Sequence, residues 1–329
     1  MKYIVWKLAV FLLVIVGGLY ALSFRAVPAH IEYGASFSKL HADELQLDWK
    51  ATYFALLDDL GVKKLRLSAH WPMIEPKEGA FNFSELDLQM REAAAHDASV
   101  ILAVGRKTPG WPECHTPDWA GGLGTDDEHA ARLAYLTAVV ERYRDSPALL
   151  MWQVENEPFL NFARFICGTQ DEDFFAEEIA LVRSLDPEHP ILVTDGGEFG
   201  LWYKARQYGD VFGSTMYLYV WSKYTGYMRY PISAGFFRAK QNLFDSIWGA
   251  KPSVSIEVGL EPWLIRPIVE APLDEQLQRM SMERFNEILT LAANSGFDTH
   301  YLWGAEWWYY MKGQGHPEFW DAAKRLYPD

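Results

Sequence analysis

Short apolar runs alternate along the chain with longer stretches in which apolar residues recur every three or four positions. The short runs predict β-strands, and the longer stretches predict amphipathic helices. The predicted strands cover residues 31–36, 64–68, 100–104, 149–154, 191–194, 211–217, 253–256 and 299–303. The clearest predicted helices cover residues 49–60, 86–96, 128–144, 171–185 and 273–293.

Eight strands that alternate with helices are typical of a (β/α)8 barrel. The rival is an open, doubly wound sheet, which would normally carry a glycine-rich phosphate loop early in the chain. The sequence has no such loop. We therefore predict an α/β fold with a single (β/α)8 TIM barrel over residues 26–329, although length alone would suggest about two domains.

The first 25 residues form a separate segment. Residues 8–24 carry no charge, and Lys2 and Lys7 precede them. This pattern predicts an N-terminal hydrophobic helix that is either a signal anchor in the cytoplasmic membrane or a cleaved signal peptide. Both alternatives remain open, and both export the rest of the chain.

Export changes the interpretation of Cys114 and Cys167, because an oxidising compartment permits disulfides. The two cysteines fall in the loops after the third and fourth predicted strands. Neighbouring loops lie on one face of a barrel, so we expect a disulfide, with two unpaired buried thiols as the alternative.

Composition narrows the function. Half of the residues are hydrophobic and 22% are charged, which excludes a disordered chain. A net charge of −14 with no basic run argues against a nucleic-acid partner. Aromatic residues make up 15% of the chain and include 14 tryptophans, which suits stacking on sugars even though the core must take many of them.

Two predicted strands end in carboxylates. The fourth ends in W-Q-V-E-N-E-P, with Glu157, and the seventh in S-I-E-V-G, with Glu257. Catalytic residues of barrels lie at the carboxyl ends of the strands, and strands four and seven face each other across the mouth. Two carboxyl groups about 5 Å apart suit retaining glycoside hydrolysis, in which one donates a proton and the other attacks.

These segments, taken in order, resemble the retaining glycoside hydrolases of clan GH-A, a (β/α)8 superfamily that includes cellulases, β-galactosidases and xylanases. Residues 65–87, L-R-L-S-A-H-W-P-M-I-E-P-K-E-G-A-F-N-F-S-E-L-D, are similar to a run in β-galactosidase-like members. The N-E-P of residues 156–158 resembles the acid/base motif after strand four. Glu257 resembles the nucleophile that ends strand seven. The strand-seven context I-E-V-G-L-E-P-W departs from the usual T-E-F-G, which leaves the subfamily and substrate open.

The resemblance implies further roles at the site. Asn156 would bind the sugar's 2-hydroxyl group, and Arg66 would hold the nucleophile in its ionised form. Tyr217 would donate a hydrogen bond to the nucleophile, with Tyr219 as the other candidate of the same strand parity. Trp303 would lie under the sugar.

Further residues are placed by their position after strand ends. His70, Trp71 and His115 are predicted to bind substrate, and Lys107 and Glu113 also fall in the strand-three loop at the mouth.

Two glutamates leave alternatives. Glu261 follows Glu257 by four residues and is the rival nucleophile, and Glu155 is expected to form a structural pair with Arg66.

The sequence therefore predicts a retaining glycoside hydrolase that acts on a β-linked extracytoplasmic oligo- or polysaccharide by double displacement. No cofactor is expected, and the nine histidines include no H-x-H or H-E-x-x-H metal motif. The alternative is a membrane-tethered carbohydrate-binding barrel without turnover.

Overall fold

The computed structural model describes residues 7, 17–18, 21–111, 113–160, 167–168 and 171–328. Most of the predicted hydrophobic helix over residues 1–25 lies outside the described residues, so the domain division at residue 25 stays a prediction. Within the described ranges, no helix is both long and apolar enough to cross a membrane.

Eight parallel strands close into a barrel, which confirms the predicted (β/α)8 fold. The order around the barrel is β1, β2, β3, β4, β5, β6, β9 and β10, with β10 pairing back to β1. Strands β7 and β8 form a separate antiparallel hairpin after β6. The strands are β1 Glu32–Ser36, β2 Lys64–Ser68, β3 Ser99–Val104, β4 Leu149–Val154, β5 Ile191–Asp195, β6 Val211–Met216, β7 Tyr219–Ser222, β8 Gly226–Arg229, β9 Ser253–Gly259 and β10 Thr299–Trp303.

The predicted strands agree closely with the barrel. Strands β2, β4 and β10 have the predicted bounds, and the other five differ at one end. The largest difference is at β9, which continues past the predicted end because Gly259 pairs in register with Trp303 of β10. Glu257 therefore lies within β9, two residues before its end, instead of following the strand.

The helices run between the strands on the outside of the barrel. They are α1 Lys39–Glu44, α2 Trp49–Asp58, α3 Trp71–Ile74, α4 Ser84–Ala95, α5 Thr125–Tyr143, α6 Glu172–Leu185, α7 Tyr203–Tyr208, α8 Ala234–Trp248, α9 Leu273–Arg279, α10 Met282–Ala293, α11 Ala305–Gly313 and α12 Glu318–Lys324. The single helix predicted over residues 273–293 is wrong. Met280 leaves helical geometry, and Ser281 begins α10 by accepting a hydrogen bond from the backbone N–H of Arg284.

The core has two parts. A small cluster fills the inside of the barrel, and a much larger one lies between the strands and the helices. Six tryptophans are almost fully buried, as expected for a core that takes many of the aromatic residues: Trp71, Trp152, Trp202, Trp307, Trp308 and Trp320. Their large apolar surfaces stabilise the helical layer.

The predicted disulfide is confirmed. Cys114 and Cys167 are bonded, with their Cα atoms 5.5 Å apart. The bond ties the loop after β3 to the segment after β4, on the same end of the barrel as the carboxyl ends of the strands.

Candidate active site

A cavity of about 860 Å³ opens at the carboxyl ends of the strands, lined by residues from the loop after β3 and from the ends of β4, β5, β6 and β9. Its lining includes both predicted catalytic carboxylates, Glu157 and Glu257, together with Tyr217. Aromatic side chains from several loops complete the wall: Trp111, Phe159, Phe199, Tyr203, Trp221, Tyr230 and Trp263. Apolar walls around a few convergent polar groups are typical of small-molecule sites.

Glu157 is presented by a sharp turn after β4. Both Glu155 and Glu157 have positive φ, at 56° and 45°, a backbone conformation that L-residues rarely adopt. The backbone N–H of Glu157 donates to Thr194 Oγ1 at 2.7 Å, and its Oε1 accepts from Thr215 Oγ1 at 2.9 Å. Such strain persists only where the surroundings fix the backbone, and it is common at functional sites.

The environment of Glu157 favours its protonated form. Burial is the largest cause, the negative charges of Glu113 and then Glu257 add to it, and together they raise the pKa of Glu157 to about 8. Lys107 and the Thr215 hydroxyl act in the opposite direction but do not cancel these effects. A carboxyl that keeps its proton at neutral pH can act as a general acid.

Glu257 has a different set of partners. Its Oε2 accepts from Arg66 Nη1, and its Oε1 accepts from the Tyr217 hydroxyl. Burial and the adjacent Glu257 charge raise the pKa of Tyr217 well above its usual value, so the phenol keeps its proton and donates. A cation and a phenol donor stabilise a carboxylate, which is the form a nucleophile needs.

The two carboxylates belong to one site. Thr215, which donates to Glu157, is the register partner of Glu257 on the neighbouring strand. Residues paired in this way point to the same side of a sheet. The structure thus brings together the residues that the sequence placed at the ends of strands four and seven.

Arg66 and Asn156 extend this network. Arg66 is almost fully buried, and besides Glu257 it donates from Nε to Gln153 Oε1 at 2.9 Å and from Nη2 to Asn156 Oδ1 at 2.8 Å. The Asn156 oxygen also accepts from Gln153 Nε2 at 3.2 Å. Asn156 is nearly buried, and these bonds occupy its side-chain oxygen, so its expected contact with a sugar hydroxyl stays a prediction.

Glu261, the rival nucleophile, lies in another network. Its Oε1 accepts from Trp303 Nε1 at 2.7 Å, and its Oε2 lies 2.8 Å from His41 Nε2. Burial alone would lower the pKa of His41, but Glu261 and Glu44 outweigh it and raise that pKa well above the usual value. Glu261 therefore orients the Trp303 ring, which stacks on His41 with centroids 5.7 Å apart.

Trp71 does not reach the cavity, so its expected substrate contact is corrected. The ring has no exposed surface, packs between Tyr135 and Trp119, and donates from Nε1 to Glu75 at 2.8 Å. Its position directly after a strand end predicted a mouth residue, but α3 begins at Trp71 and turns the ring into the helical layer.

His70 and His115 lie together under the β3 loop. Their rings meet edge to face at 4.4 Å, and His70 Nδ1 lies 2.8 Å from Thr108 Oγ1. Burial is the main cause that lowers the pKa of both histidines, so they are neutral at pH 7. Both are nearly buried, and the contacts described for them support the loop.

The expected pair between Glu155 and Arg66 is wrong. The Glu155 carboxylate accepts from the backbone N–H groups of Arg106, at 2.8 Å, and Lys107, at 2.5 Å. Its nearest cation is Arg132 of α5, at 3.8 Å. The positive φ of Glu155 explains the difference, because strand parity no longer applies once the backbone leaves the β region.

Thr215 is a site residue that the sequence reasoning missed. It lies two residues before Tyr217, so the same strand parity that selected Tyr217 could have selected it.

Within the described part of the chain, no group of three His, Cys, Asp or Glu side chains is arranged to hold a metal ion.

Comparison with known proteins supports the resemblance. The sequence family described as Beta-galactosidase, Glyco_hydro_42, matches residues 45–122. A probable mannan endo-1,4-beta-mannosidase F from Emericella nidulans is 41% identical over 73 residues, which are 22% of this chain and 16% of that protein. The chain thus aligns with a small part of that relative's length.

Solved structures share the fold over most of the chain. The beta-galactosidase of Halorubrum lacusprofundi has a TM-score of 0.54 at 16% identity, covering 83% of this chain and 52% of that one. A GH5_18 protein from Bifidobacterium longum, solved with Manβ1-4GlcNAc, has a TM-score of 0.58 at 15% identity, covering 83% and 68%. The chain is similar in fold and in local sequence to (β/α)8 glycoside hydrolases of clan GH-A, as the sequence predicts.

Proposed function

We propose that the chain is a retaining glycoside hydrolase that cleaves a β-linked glycan. The observation that carries this proposal is the pair of unlike carboxylates at one mouth. Glu157 is held in conditions that favour the protonated form, and Glu257 is bound by Arg66 and Tyr217. A retaining mechanism needs one protonated and one ionised carboxyl group at the same pH.

In the first step, the Glu157 proton passes to the glycosidic oxygen while a Glu257 oxygen attacks the anomeric carbon. The C–O bond to the leaving group breaks, and that group departs as an alcohol. The sugar is left as an ester on Glu257. The hydrogen bond from Tyr217 and the ion pair with Arg66 hold the attacking carboxylate in place.

In the second step, Glu157 is deprotonated and takes a proton from water, which attacks the anomeric carbon and releases Glu257. The change of role follows from the site's electrostatics. The charge of Glu257 is one cause of the raised Glu157 pKa, and that charge disappears when the ester forms. The pKa of Glu157 then falls, which favours its action as a base.

The proposed substrate class rests on the site and on the relatives. Arg66 occupies the Asn156 oxygen, which leaves the amide donors for a sugar hydroxyl, and the aromatic wall of the cavity suits the apolar faces of pyranose rings. The proteins named above include a probable mannan endo-1,4-beta-mannosidase and a beta-galactosidase. A β-mannoside or β-galactoside linkage is therefore the first to test.

We also propose that the catalytic domain works outside the cytoplasm. The uncharged stretch over residues 8–24 is consistent with export as an anchored or cleaved segment. The Cys114–Cys167 disulfide is consistent with an oxidising compartment. Fractionation of cells that express the full chain, with and without carbonate extraction, tests both points: recovery in the cytosol would contradict export.

The reaction is tested by the product anomer. Aryl β-mannosides and β-galactosides are incubated with the full chain, with the matching α-glycosides as controls, and the first-formed sugar is followed by proton NMR. The proposal predicts that the β-anomer appears first and mutarotates later. First release of the α-anomer would indicate inversion, and sugar binding without turnover would favour a carbohydrate-binding barrel.

A further inference from the structure

The loop after β3 brings a third carboxylate to the mouth. The loop closes on itself: the Thr108 N–H donates to the carbonyl of Glu113 at 2.9 Å, and the Glu113 N–H donates to the carbonyl of Gly110 at 2.6 Å. The next residue, Cys114, is fixed by its disulfide to Cys167. Glu113 is thus presented from a loop that is braced on both sides.

The backbone at Glu113 is in an unfavourable conformation. Its φ is 71°, in the left-handed region that suits glycine or asparagine better than glutamate. A non-glycine residue stays there only when the surrounding structure imposes it. Here the conformation directs the side chain into the cavity that Glu157 and Glu257 also line.

Lys107 connects Glu113 to Glu157. The Lys107 ammonium group contacts Glu113 Oε2 at 2.9 Å and donates to the backbone carbonyl of Glu157 at 3.0 Å. Its own backbone N–H is held by Glu155. Lys107 is nearly buried, and although burial lowers its pKa, the three glutamates around it more than offset this and raise it. The cation therefore stays charged and stays in place.

Several other groups face the Glu157 carboxyl or affect its charge. They are Lys107 and Glu113 from the β3 loop, Thr215 of β6, Tyr217 directly after β6, and Glu257 of β9. Asp195 and Glu198, at and after the end of β5, line the same cavity. Glu113 is the largest charge effect on Glu157, greater than that of Glu257.

We propose that Glu113, paired with Lys107, is a positioning residue that keeps the proton on Glu157 until the glycosidic oxygen takes it. This inference rests on the proposed function, in which Glu157 is the acid. Two neighbouring carboxylates do not both ionise readily, so one of them carries the proton. Burial raises the pKa of Glu113 as well, but Lys107 pairs with the Glu113 carboxylate and contacts only the backbone carbonyl of Glu157, so the pair favours the charge on Glu113 and leaves the proton to Glu157.

The pair also remains after Glu257 becomes an ester. The charge of Glu257 is then lost but that of Glu113 is not, so the pKa of Glu157 falls only in part, and its carboxylate can still accept a proton from water. Glu113 itself neither gains nor loses a proton during the cycle, and the proton balance of the two steps is unchanged.

The test is the pH dependence of kcat/KM in Glu113→Gln, measured with a β-linked oligosaccharide that the wild type cleaves, because a sugar leaving group needs the proton. We expect the high-pH limb, which reports the acid of the free enzyme, to move about one unit lower. At the pH optimum kcat should change less than about threefold. Glu113→Asp keeps the charge, so its high-pH limb should lie close to that of the wild type.

Glu188→Gln is the matched control, because it removes an exposed carboxylate from the opposite end of the barrel. It should leave the limb unmoved. An unshifted limb in Glu113→Gln would overturn the inference. If KM also rose, Glu113 would be a substrate ligand instead of a positioning residue.

A titration that needs no turnover separates this inference from the proposed function. Carbon-13 labelled glutamate carboxyls are followed by NMR against pH in the wild type and Glu113→Gln, with Glu157→Gln to assign the Glu157 signal. A lower midpoint for Glu157 in Glu113→Gln supports the inference even if no glycoside is cleaved. Equal midpoints would overturn it even in an active enzyme.

Discussion

The two buried carboxylates at the mouth of the barrel, Glu157 and Glu257, have different surroundings. Glu157 and Glu257 are almost equally buried, with 7% and 8% of their surface exposed. Glu257 directly contacts a guanidinium and a phenol, whereas the Glu157 carboxyl contacts a threonine hydroxyl and lies near two other carboxylates. Burial alone therefore does not assign the proton: the charged partners do.

The largest expected effect comes from removing the better-paired carboxylate. Glu257→Ala should lower kcat by about 10⁴-fold or more, because no nucleophile remains to form the ester. Azide added to this variant should enter the vacated space and restore turnover, giving a glycosyl azide of inverted configuration. An active variant without azide would show that Glu257 is not the nucleophile.

Glu157→Gln should lower activity somewhat less than Glu257→Ala does. We expect kcat/KM to fall about 10³-fold for a sugar leaving group, because general acid catalysis is lost. For an aryl glycoside, whose leaving group departs without a proton, kcat/KM should fall much less. The wild-type profile should fall on its alkaline side near the Glu157 pKa of about 8, and that limb should vanish in the variant. Equal losses for both leaving groups would argue against an acid role.

Tyr217→Phe removes one partner from Glu257 and should lower kcat about 10- to 100-fold, the cost of a hydrogen bond to a charged group. Tyr219 is the control of the same strand parity. Its hydroxyl donates to Glu287 outside the mouth, so Tyr219→Phe should leave kcat unchanged. If the two variants behaved alike, the contact between Tyr217 and Glu257 would have no catalytic role.

The smallest effect is expected at Glu261. Glu261→Gln can still accept from Trp303, and it loses only its charge toward His41. We expect kcat to stay within about tenfold of the wild type. A loss as large as that of Glu257→Ala would instead transfer the nucleophile role to Glu261.

Sequence periodicity predicted the barrel and the strand ends because parallel buried strands leave strong apolar runs. Glu157 and Glu257 followed from those ends, and Arg66 from the family resemblance. The sequence could not predict the positive φ of Glu155, which sends its carboxylate to the β3 loop and away from Arg66. A turn of this kind is set by tertiary contacts, which leave no local pattern.

The other errors have similar causes. Trp71 follows the end of β2 and was placed at the mouth for that reason, but a short helix beginning at Trp71 buries its ring. The pair of Lys107 with Glu113 depends on how a long loop folds back and on a disulfide that joins it to another loop. Loops of this length carry little periodicity, so their residues could be placed at the mouth but not in contact with one another.

The most direct test of the two roles is to trap the ester. A 2-deoxy-2-fluoro β-glycoside with a good leaving group slows both steps but the second one more, so the glycosyl-enzyme accumulates. The inhibited chain is digested and the labelled peptide is sequenced by mass spectrometry. We expect one sugar per chain, attached to Glu257. A label on Glu261, Glu157 or Glu113 would contradict it.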